Sequence, residues 1–318
     1  MKAIVSGILG QDGAYLAKYL LEKNVEVFGA IRPTAHHDYW RLNKLKVRDQ
    51  VNLQCVDLLD SASITSFIRN VQPDYIFNLA AMSHVGKSFT CPNVTIQVNT
   101  LVPLNIFEAA KAFAPNARIY QASTSEMYGN RIDSYTRETG YDESDTFDPV
   151  SPYGIAKLAA HRLGIIYRHG GLWVSNGILF NHESPLRGNE FVTQKVCRGI
   201  ANYMRTGKRI TLGNIDSYRD MGHAEEYVDA MWRLVNYAPT DMVIATGHTT
   251  KIRDFIMAAA TEAGCDNSFY TIAEGEKRPW DIDCLIGNPL KALKTIGWYA
   301  KRDYKDIAKE MMQDALAV

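Results

Sequence analysis

The sequence is poor in cysteine, which limits the kinds of site it can build. Only five cysteines occur among 318 residues, an odd number, and no two are spaced as Cys-x-x-Cys. A disulfide framework or a structural zinc site needs paired or closely spaced cysteines. The scattered thiols therefore indicate a reduced, cytoplasmic protein, and we expect no bound metal.

Long apolar runs and an excess of charge of either sign are also lacking. No stretch approaches the roughly 20 apolar residues of a membrane-spanning helix, so we expect no membrane contact. Lysine plus arginine and aspartate plus glutamate both number 35, so no basic field points to a nucleic-acid partner. The opening stretch M-K-A-I-V-S-G-I-L-G fits a strand and a glycine turn better than a signal sequence.

The chain begins with the pattern of strand, glycine turn and helix. Residues 2–6 are apolar, as in a buried parallel strand, and residues 14–22 carry the apolar positions of a helix. Glycines between them allow a tight turn and close approach to a ligand, and the start of the helix attracts a pyrophosphate. The predicted dinucleotide-binding residues in this turn are Gly7, Gly10, Gln11, Asp12 and Gly13.

The next strands specify the cofactor more closely. The second strand ends at Arg32, where an acid would bind the ribose of NAD and an arginine suits the 2′-phosphate of NADP. A surface arginine at a strand end is the alternative. Asp57 and Leu58 follow the third strand and can contact an adenine or cap the next helix. After the fourth strand the backbone has to pass close to the predicted NADP at Leu79, Ala80 and Ala81.

The candidate catalytic residues lie between Ser123 and Lys157. Tyr153 and Lys157 are four residues apart, so in a helix they share one face. An ammonium beside a phenol lowers the phenol's pKa and lets it accept a proton from a substrate alcohol. Thr124 offers a hydroxyl to hold that alcohol, and Glu126 is a second proton acceptor. The motif alone is also compatible with a solvated helix that carries one aromatic residue.

Alternating strands and helices predict an α/β fold with a Rossmann-type doubly wound parallel sheet. The alternation stops after a sixth strand at residues 172–178, and the following chain is turn-rich. We expect an NADP-binding domain of residues 1–180 plus about 223–246. Residues 181–222 and 247–318 would form a smaller, mixed α/β substrate domain over the edge of the sheet.

Several stretches resemble a known family over nearly the whole chain. Those typical of the extended short-chain dehydrogenase/reductases are G-I-L-G-Q-D-G-A-Y-L at 7–16, Y-Q-A-S-T-S-E-M-Y-G at 120–129 and S-P-Y-G-I-A-K at 151–157. Those typical of the GDP-mannose 4,6-dehydratases within that family are N-G-I-L-F-N-H-E-S-P at 176–185 and L-G-N-I-D-S-Y-R-D-M-G-H-A at 212–224. A substrate-phosphate segment of the family is similar to R-P-W-D-I-D-C-L-I-G-N-P at 278–289.

The resemblance implies an NADP cofactor, GDP-mannose as substrate, and a homodimer or homotetramer. It adds His182, Tyr153 and Lys157 to the cofactor site. Residues implied to contact the GDP-sugar are Ser83, Glu126, Asn181, Lys195, Arg219, Arg278 and Asp281. A diphosphate favours arginine and lysine partners. The family commonly has Arg-Arg where this chain has Arg32-Pro33, and Pro-Arg-Arg where it has Pro185-Leu186-Arg187, so dimer and tetramer both stay open.

The implied reaction converts GDP-mannose into GDP-4-keto-6-deoxymannose. Tyr153, assisted by Lys157, takes the C4 hydroxyl proton while a hydride passes from C4 to NADP⁺, and Thr124 binds that oxygen. Glu126 removes the C5 proton and protonates the leaving C6 hydroxyl, with Ser125 as a helper. A carboxylate suits this double role because it can accept and donate a proton within one turnover.

Three other functions stay open at this point. A bifunctional enzyme would also reduce the 4-ketone and release GDP-6-deoxymannose (GDP-rhamnose). Another nucleotide-sugar epimerase or dehydratase would share most of the motifs, but simple 4-epimerisation needs no C5 base, so Glu126 argues against an epimerase. A non-catalytic NADP-sensing protein would not need the set Thr124, Tyr153 and Lys157.

Overall fold

The chain folds around a seven-stranded sheet with helices on both faces. The computed structural model describes residues 1–130, 134–273 and 281–317. Its strands are β1 (Lys2–Ser6), β2 (Glu26–Ile31), β3 (Asn52–Cys55), β4 (Tyr75–Asn78), β5 (Arg118–Thr124), β6 (Trp173–Leu179), β7 (Asn181–Glu183), β8 (Ile210–Leu212), β9 (Tyr218–His223), β10 (Asp241–Ile244), β11 (Thr249–Lys251), β12 (Tyr270–Ile272) and β13 (Cys284–Leu285).

Helices connect most of the sheet strands. The helices are α1 (Gln11–Glu22), α2 (Trp40–Lys44), α3 (Ser61–Val71), α4 (Val85–Thr90), α5 (Pro92–Ile96), α6 (Val102–Phe113), α7 (Ser134–Thr139), α8 (Pro152–His169), α9 (Val192–Thr206), α10 (Ala224–Val235), α11 (Ile252–Ala263), α12 (Leu290–Ile296) and α13 (Tyr304–Leu316). Within the described ranges, no helix is both long enough and apolar enough to cross a membrane.

The large sheet has the strand order β10-β6-β5-β4-β1-β2-β3, and all its neighbouring strands are parallel. The order reverses direction between β1 and β4. In open α/β sheets, ligands bind outside the carboxyl ends of the strands at such a reversal. The fold class expected from the sequence, a doubly wound parallel sheet, is confirmed.

Apolar side chains cover both faces of this sheet. Ala3 and Val5 of β1 point into a core completed by α1 and α10, whereas Ile4 points into a second core formed with α3 and α6. This alternation of neighbouring residues between two cores is what a strand buried on both faces requires. The nearly uninterrupted apolar run of β1 therefore follows from its central position.

A smaller unit packs beside the carboxyl edge of the sheet. Its strands form the order β11-β9-β13, with β7 also paired to β9, and a separate pair of β8 and β12. Helices α9, α11 and α13 bury a third core against these strands. Strand β7 follows β6 after one residue, so the chain passes directly from the large sheet into the smaller one.

Some predicted elements differ from the observed ones. The first helix begins at Gln11 instead of Ala14, so the glycine turn leads into it directly. The helical segment of residues 92–113 is interrupted by a π turn at Gln97–Leu101, which the sequence pattern does not indicate. This turn buries Asn99, whose side chain bonds the backbone N–H and carbonyl of Met82 at 2.8 and 3.1 Å. The π turn, which inserts one extra residue into the helix, thus holds the loop after β4 through Asn99. Such π turns are frequent at functional sites.

Candidate active site

A cleft of about 1190 Å³ opens along the carboxyl ends of β1, β2, β4, β5 and β6, with the smaller unit forming its other wall. Arg278 lies outside the described residues. The predicted site residues that line the cleft are Gly7, Gly10, Gln11, Asp12, Gly13, Arg32, Asp57, Leu58, Leu79, Ala80, Ala81, Ser83, Thr124, Ser125, Glu126, Tyr153, Lys157, Asn181, His182, Lys195, Arg219 and Asp281.

The glycine turn after β1 forms a cradle that has no room for side chains. Gly7 has φ +75°, in the left-handed region that favours glycine. A Cβ on Gly13 would lie 2.3 Å from the Gly7 carbonyl oxygen. Helix α1 begins at Gln11 without a side-chain cap, so its first N–H groups remain available to a ligand. A bare backbone turn at a helix N-terminus fits the pyrophosphate of a dinucleotide.

A buried network joins this turn to β7. The Nε2 atom of His182 lies 2.9 Å from Asp12 Oδ2, and Gln11 donates to the His182 carbonyl at 3.1 Å. Burial opposes the charge on both partners. The attraction between Asp12 and His182 outweighs this cost of burial, so the pKa of Asp12 is lowered and that of His182 is raised. The cofactor turn and the first strand of the smaller unit are therefore held together by an ion pair on the cleft wall.

Tyr153 and Lys157 project from the first turns of α8, which begins after Ser151 caps it by accepting from Gly154 N–H. Burial raises the pKa of Tyr153, although the Thr124 hydroxyl bonded to it lowers that pKa. Burial also lowers the pKa of Lys157 to about 8. The ammonium donates to the Ala122 carbonyl. The expectation that the phenol of Tyr153 has a lowered pKa is wrong for this structure, because burial outweighs the groups that lower it.

Glu126 lies in a short turn directly after β5. Its backbone N–H donates to Thr124 Oγ1 at 3.3 Å, and its carboxylate acts to raise the pKa of the Tyr153 phenol. The neighbouring Ser125 is buried and also lines the cleft. Two separate proton acceptors, a phenol and a carboxylate, therefore face one cleft from adjacent elements.

The two ends of the cleft carry different groups. Arg32 follows β2, and Asp57 and Leu58 follow β3, so these three line the end beyond the glycine turn. The wall formed by the smaller unit carries Arg219, which is 9% exposed and donates to the Tyr218 carbonyl. Other residues of that wall are hydrogen-bonded to each other. Lys195 donates to the Thr211 carbonyl at 2.6 Å, and Asn214 donates to Asp281 at 3.2 Å. Cations at both ends suit a ligand pair rich in phosphate.

Arg187 is a site residue that the sequence reasoning did not assign. Its guanidinium lies 3.7 Å from the centre of the Phe191 ring, and its Nε lies 3.1 Å from Glu183 Oε2. Its charge helps to lower the pKa values of Asp12 and Tyr153. The only sequence signal was the departure at Pro185-Leu186-Arg187, which by itself does not indicate a position facing the cleft.

Comparison with known proteins gives consistent relatives. A family model described as GDP-mannose 4,6 dehydratase matches residues 4–311. The GDP-mannose 4,6-dehydratase of Vibrio cholerae is 36% identical over 355 residues, covering 100% of this chain and 94% of that protein. The GDP-mannose 4,6 dehydratase of Drosophila melanogaster is 38% identical over 340 residues, covering 98% and 85%. Both alignments are longer than this chain, so both relatives carry insertions relative to it.

Solved structures share the fold at lower identity. RMD from Pseudomonas aeruginosa, complexed with NADPH, has a TM-score of 0.81 at 24% identity and covers 99% of both chains. DesIV, a dTDP-glucose 4,6-dehydratase from Streptomyces venezuelae with NAD and TYD bound, has a TM-score of 0.87 at 20% identity, covering 99% and 96%. The similarity extends over the large sheet and the smaller unit together.

Proposed function

This chain belongs to the GDP-mannose 4,6-dehydratase family, and from that membership we propose that it is an NADP-dependent hydro-lyase acting on GDP-mannose. The product would be GDP-4-keto-6-deoxymannose. The observation that carries the proposal is the presence of Glu126 beside Tyr153 in the same cleft. Oxidation of one alcohol needs one proton acceptor, whereas elimination of water from the neighbouring carbons needs a second.

The cofactor site we propose consists of the glycine turn, Arg32, Asp57, Leu58 and the loop after β4. Arg32 is an exposed cation at the end of β2, where it can bind the 2′-phosphate that distinguishes NADP from NAD. When bound there, NADP would supply a hydride acceptor for C4 of the hexose and a hydride donor for C6, and it would be regenerated in each turnover. Asp12 and His182 hold this turn against β7.

The protein's own groups move the protons. Tyr153 takes the proton of the C4 hydroxyl, with Thr124 bonded to the same oxygen and Lys157 close by. The resulting ketone makes the C5 proton acidic. Glu126 removes that proton and delivers it to the leaving C6 hydroxyl, which departs as neutral water. Ser125 assists this proton transfer. A proton from solvent adds to C5 as the hydride returns to C6, and Tyr153 releases the C4 hydroxyl proton to solvent, so that the protons balance over the turnover.

The GDP moiety would lie along the wall of the smaller unit. Arg219 and Lys195 can neutralise the diphosphate, since guanidinium and ammonium groups are the usual partners of phosphate oxygens. Asn181 and Ser83 offer polar contacts to the sugar. We retain the division into residues 1–180 plus about 223–246 and residues 181–222 plus 247–318 as the proposed cofactor and substrate domains.

Glu126→Gln in deuterated water tests the proposal. Glutamine keeps the shape of the side chain but cannot accept the C5 proton, so we expect GDP-mannose binding without release of the 4-keto product. General acid–base catalysis by one group is worth about 10²–10⁴ in rate. Wild type should place deuterium at C5, and Glu262→Gln on the exposed face of α11 should behave like wild type.

The same experiment separates the alternatives. Normal dehydration and C5 labelling by Glu126→Gln would show that another residue is the C5 base. Product analysis with added NADPH distinguishes the plain dehydratase from an enzyme that also reduces the ketone. An epimerised sugar without loss of water would identify an epimerase, and absence of any turnover by wild type would favour an NADP-sensing protein.

We further propose a cytoplasmic homodimer or homotetramer. Exposed apolar side chains lie on helical segments that contact one another, namely Ile96, Leu101, Ile155 and Ile166. Ile155 and Ile166 are eleven residues apart on α8, which is close to three helical turns and places them on one face. Several exposed apolar side chains on packed helices are typical of a subunit contact. Ile155→Asp should lower the mass seen in sedimentation, and an unchanged mass would exclude this face.

A further inference from the structure

Three consecutive residues of β5 are linked to three residues of α8 that are spaced one turn apart. Lys157 donates to the Ala122 carbonyl, and Tyr153 bonds the Thr124 hydroxyl. On β5, Ser123 lies between these two linked residues, and its Oγ lies 3.0 Å from Nδ1 of His161, one turn beyond Lys157 on α8. The proposed mechanism uses the two outer links and leaves the middle one without a role.

His161 is 1% exposed, and a polar ring buried this completely is costly unless its nitrogens have partners. Burial lowers the pKa of His161 to about 4, and the charges of Arg162, Arg168 and Lys157 lower it as well, whereas Asp241 raises it. The imidazole is therefore neutral at neutral pH. A neutral imidazole has one N–H and one acceptor nitrogen.

The neighbours of the two nitrogens decide which one carries the proton. Nε2 lies 3.5 Å from Asp241 Oδ2. The other oxygen of Asp241 accepts from Asn176 at 2.8 Å and pairs with Arg168, so Oδ2 is left facing the ring. A carboxylate only accepts, whereas a serine hydroxyl can donate. These neighbours favour a proton on Nε2, with Ser123 donating to Nδ1.

We propose that His161 is a positioning residue for the reaction: with Nε2–H directed at Asp241, it accepts from Ser123 and so fixes the end of β5 against α8. This inference rests on the proposed function, because the spacing it sets is the one between Thr124 and Tyr153. Asp241 belongs to β10 and Arg168 to the end of α8, so the link is anchored outside the cleft. The order of Ser, His and Asp resembles a hydrolytic triad, but Ser123 is 3% exposed and contacts Nδ1.

The first test reads the tautomer directly. In nitrogen NMR spectra of the ¹⁵N-histidine-labelled protein, His161 should show a protonated Nε2 and an unprotonated Nδ1 at neutral pH. The signal is assigned by its loss in His161→Phe or, if that variant does not fold, in His161→Gln. A proton on Nδ1, or a charged ring at neutral pH, would overturn the inference whatever the enzyme's activity.

The second test is a double-mutant cycle with GDP-mannose and NADP⁺. His161→Phe and Ser123→Ala should each lower kcat by about tenfold to a hundredfold, the cost of a small misplacement of reacting groups, and leave KM nearly unchanged. The double variant should lose no more than the worse single variant, because both act through one link. The control His169→Phe changes an exposed histidine of the same helix.

The outcomes distinguish the inference from the function on which it rests. Wild-type kcat in Ser123→Ala, or losses that multiply in the double variant, would overturn the positioning role. Ser123→Ala removes a single buried oxygen, so it keeps the cycle informative if His161→Phe proves unstable. No turnover of GDP-mannose by wild type would overturn the proposed function, and the tautomer would then still be decided by the spectra.

Discussion

Replacing Lys157 by methionine should make the cofactor-free protein more stable at neutral pH, although Lys157 belongs to the proposed catalytic set. Its side chain is buried, and burial lowers the pKa of Lys157 from the ordinary value of 10.5 to about 8. A lower pKa in the folded protein means that the charged ammonium is less stable there than in the unfolded chain. Methionine has a similar length and no charge to desolvate.

The size of the effect follows from the pKa difference. One pKa unit corresponds to about 1.4 kcal/mol, so the buried charge costs about 3 kcal/mol of folding free energy at pH 7. Methionine also removes the ammonium's hydrogen bond to the Ala122 carbonyl, to which Gln121 Nε2 still donates at 2.9 Å, and the lost bond costs about 1–2 kcal/mol. The expected net gain of Lys157→Met is therefore about 1–2 kcal/mol.

The stability difference between wild type and Lys157→Met should depend on pH in a direction set by the lowered pKa of Lys157. Between about pH 8 and 10.5 the unfolded chain binds the lysine proton and the folded protein does not, so wild-type stability rises with pH in this window. Urea unfolding of both proteins across this range should show the advantage of Lys157→Met below about pH 8, its disappearance between about pH 9 and 10, and a small disadvantage at about pH 10.5. Lys309→Met, at an exposed position of α13, serves as the control and should show neither effect.

A variant that is less stable than wild type at pH 7 would refute the reasoning. So would a stability difference that does not change between pH 8 and 10.5. Either result would mean that Lys157 retains an ordinary pKa in the folded protein, and hence that the ammonium is solvated or paired in a way the structure does not contain.

Three further predictions concern the ligands. Arg32→Ala should weaken NADP⁺ binding by about 1–3 kcal/mol and NAD⁺ binding much less, since only NADP⁺ has the phosphate; equal weakening in a titration would exclude this contact. Arg219→Ala should raise the Kd of GDP-mannose and leave cofactor affinity nearly unchanged. A loss of cofactor affinity would instead place Arg219 in the cofactor site. Adding NADP⁺ to wild type should produce phenolate absorption that Tyr153→Phe lacks, and the same absorption in both would assign it to another tyrosine.

Structural features that depend on a short, continuous stretch of sequence were predictable. The glycine turn could be assigned because strand, turn and helix are adjacent in sequence, and six of the seven strands of the large sheet followed from repeated alternation. The links of His161 to Ser123 and Asp241 could not, because these residues belong to α8, β5 and β10 and meet only after the sheet has formed. The strands β7, β8 and β9 were missed for a similar reason, since they are short and are stabilised by partners distant in sequence.

The pKa of Tyr153 is the clearest case in which spacing was not sufficient. Four-residue spacing brings a lysine near the phenol, but the sign of the pKa change depends on how deeply both groups are buried, which is a tertiary property. A phenol with a raised pKa is a poor proton acceptor at neutral pH. Only added positive charge or new hydrogen-bond donors can bring the pKa of Tyr153 down again. Arg187 and Thr124 lower this pKa, but by less than burial raises it. The remainder has to come with the ligands, so that Tyr153 becomes a base only when the cleft is occupied.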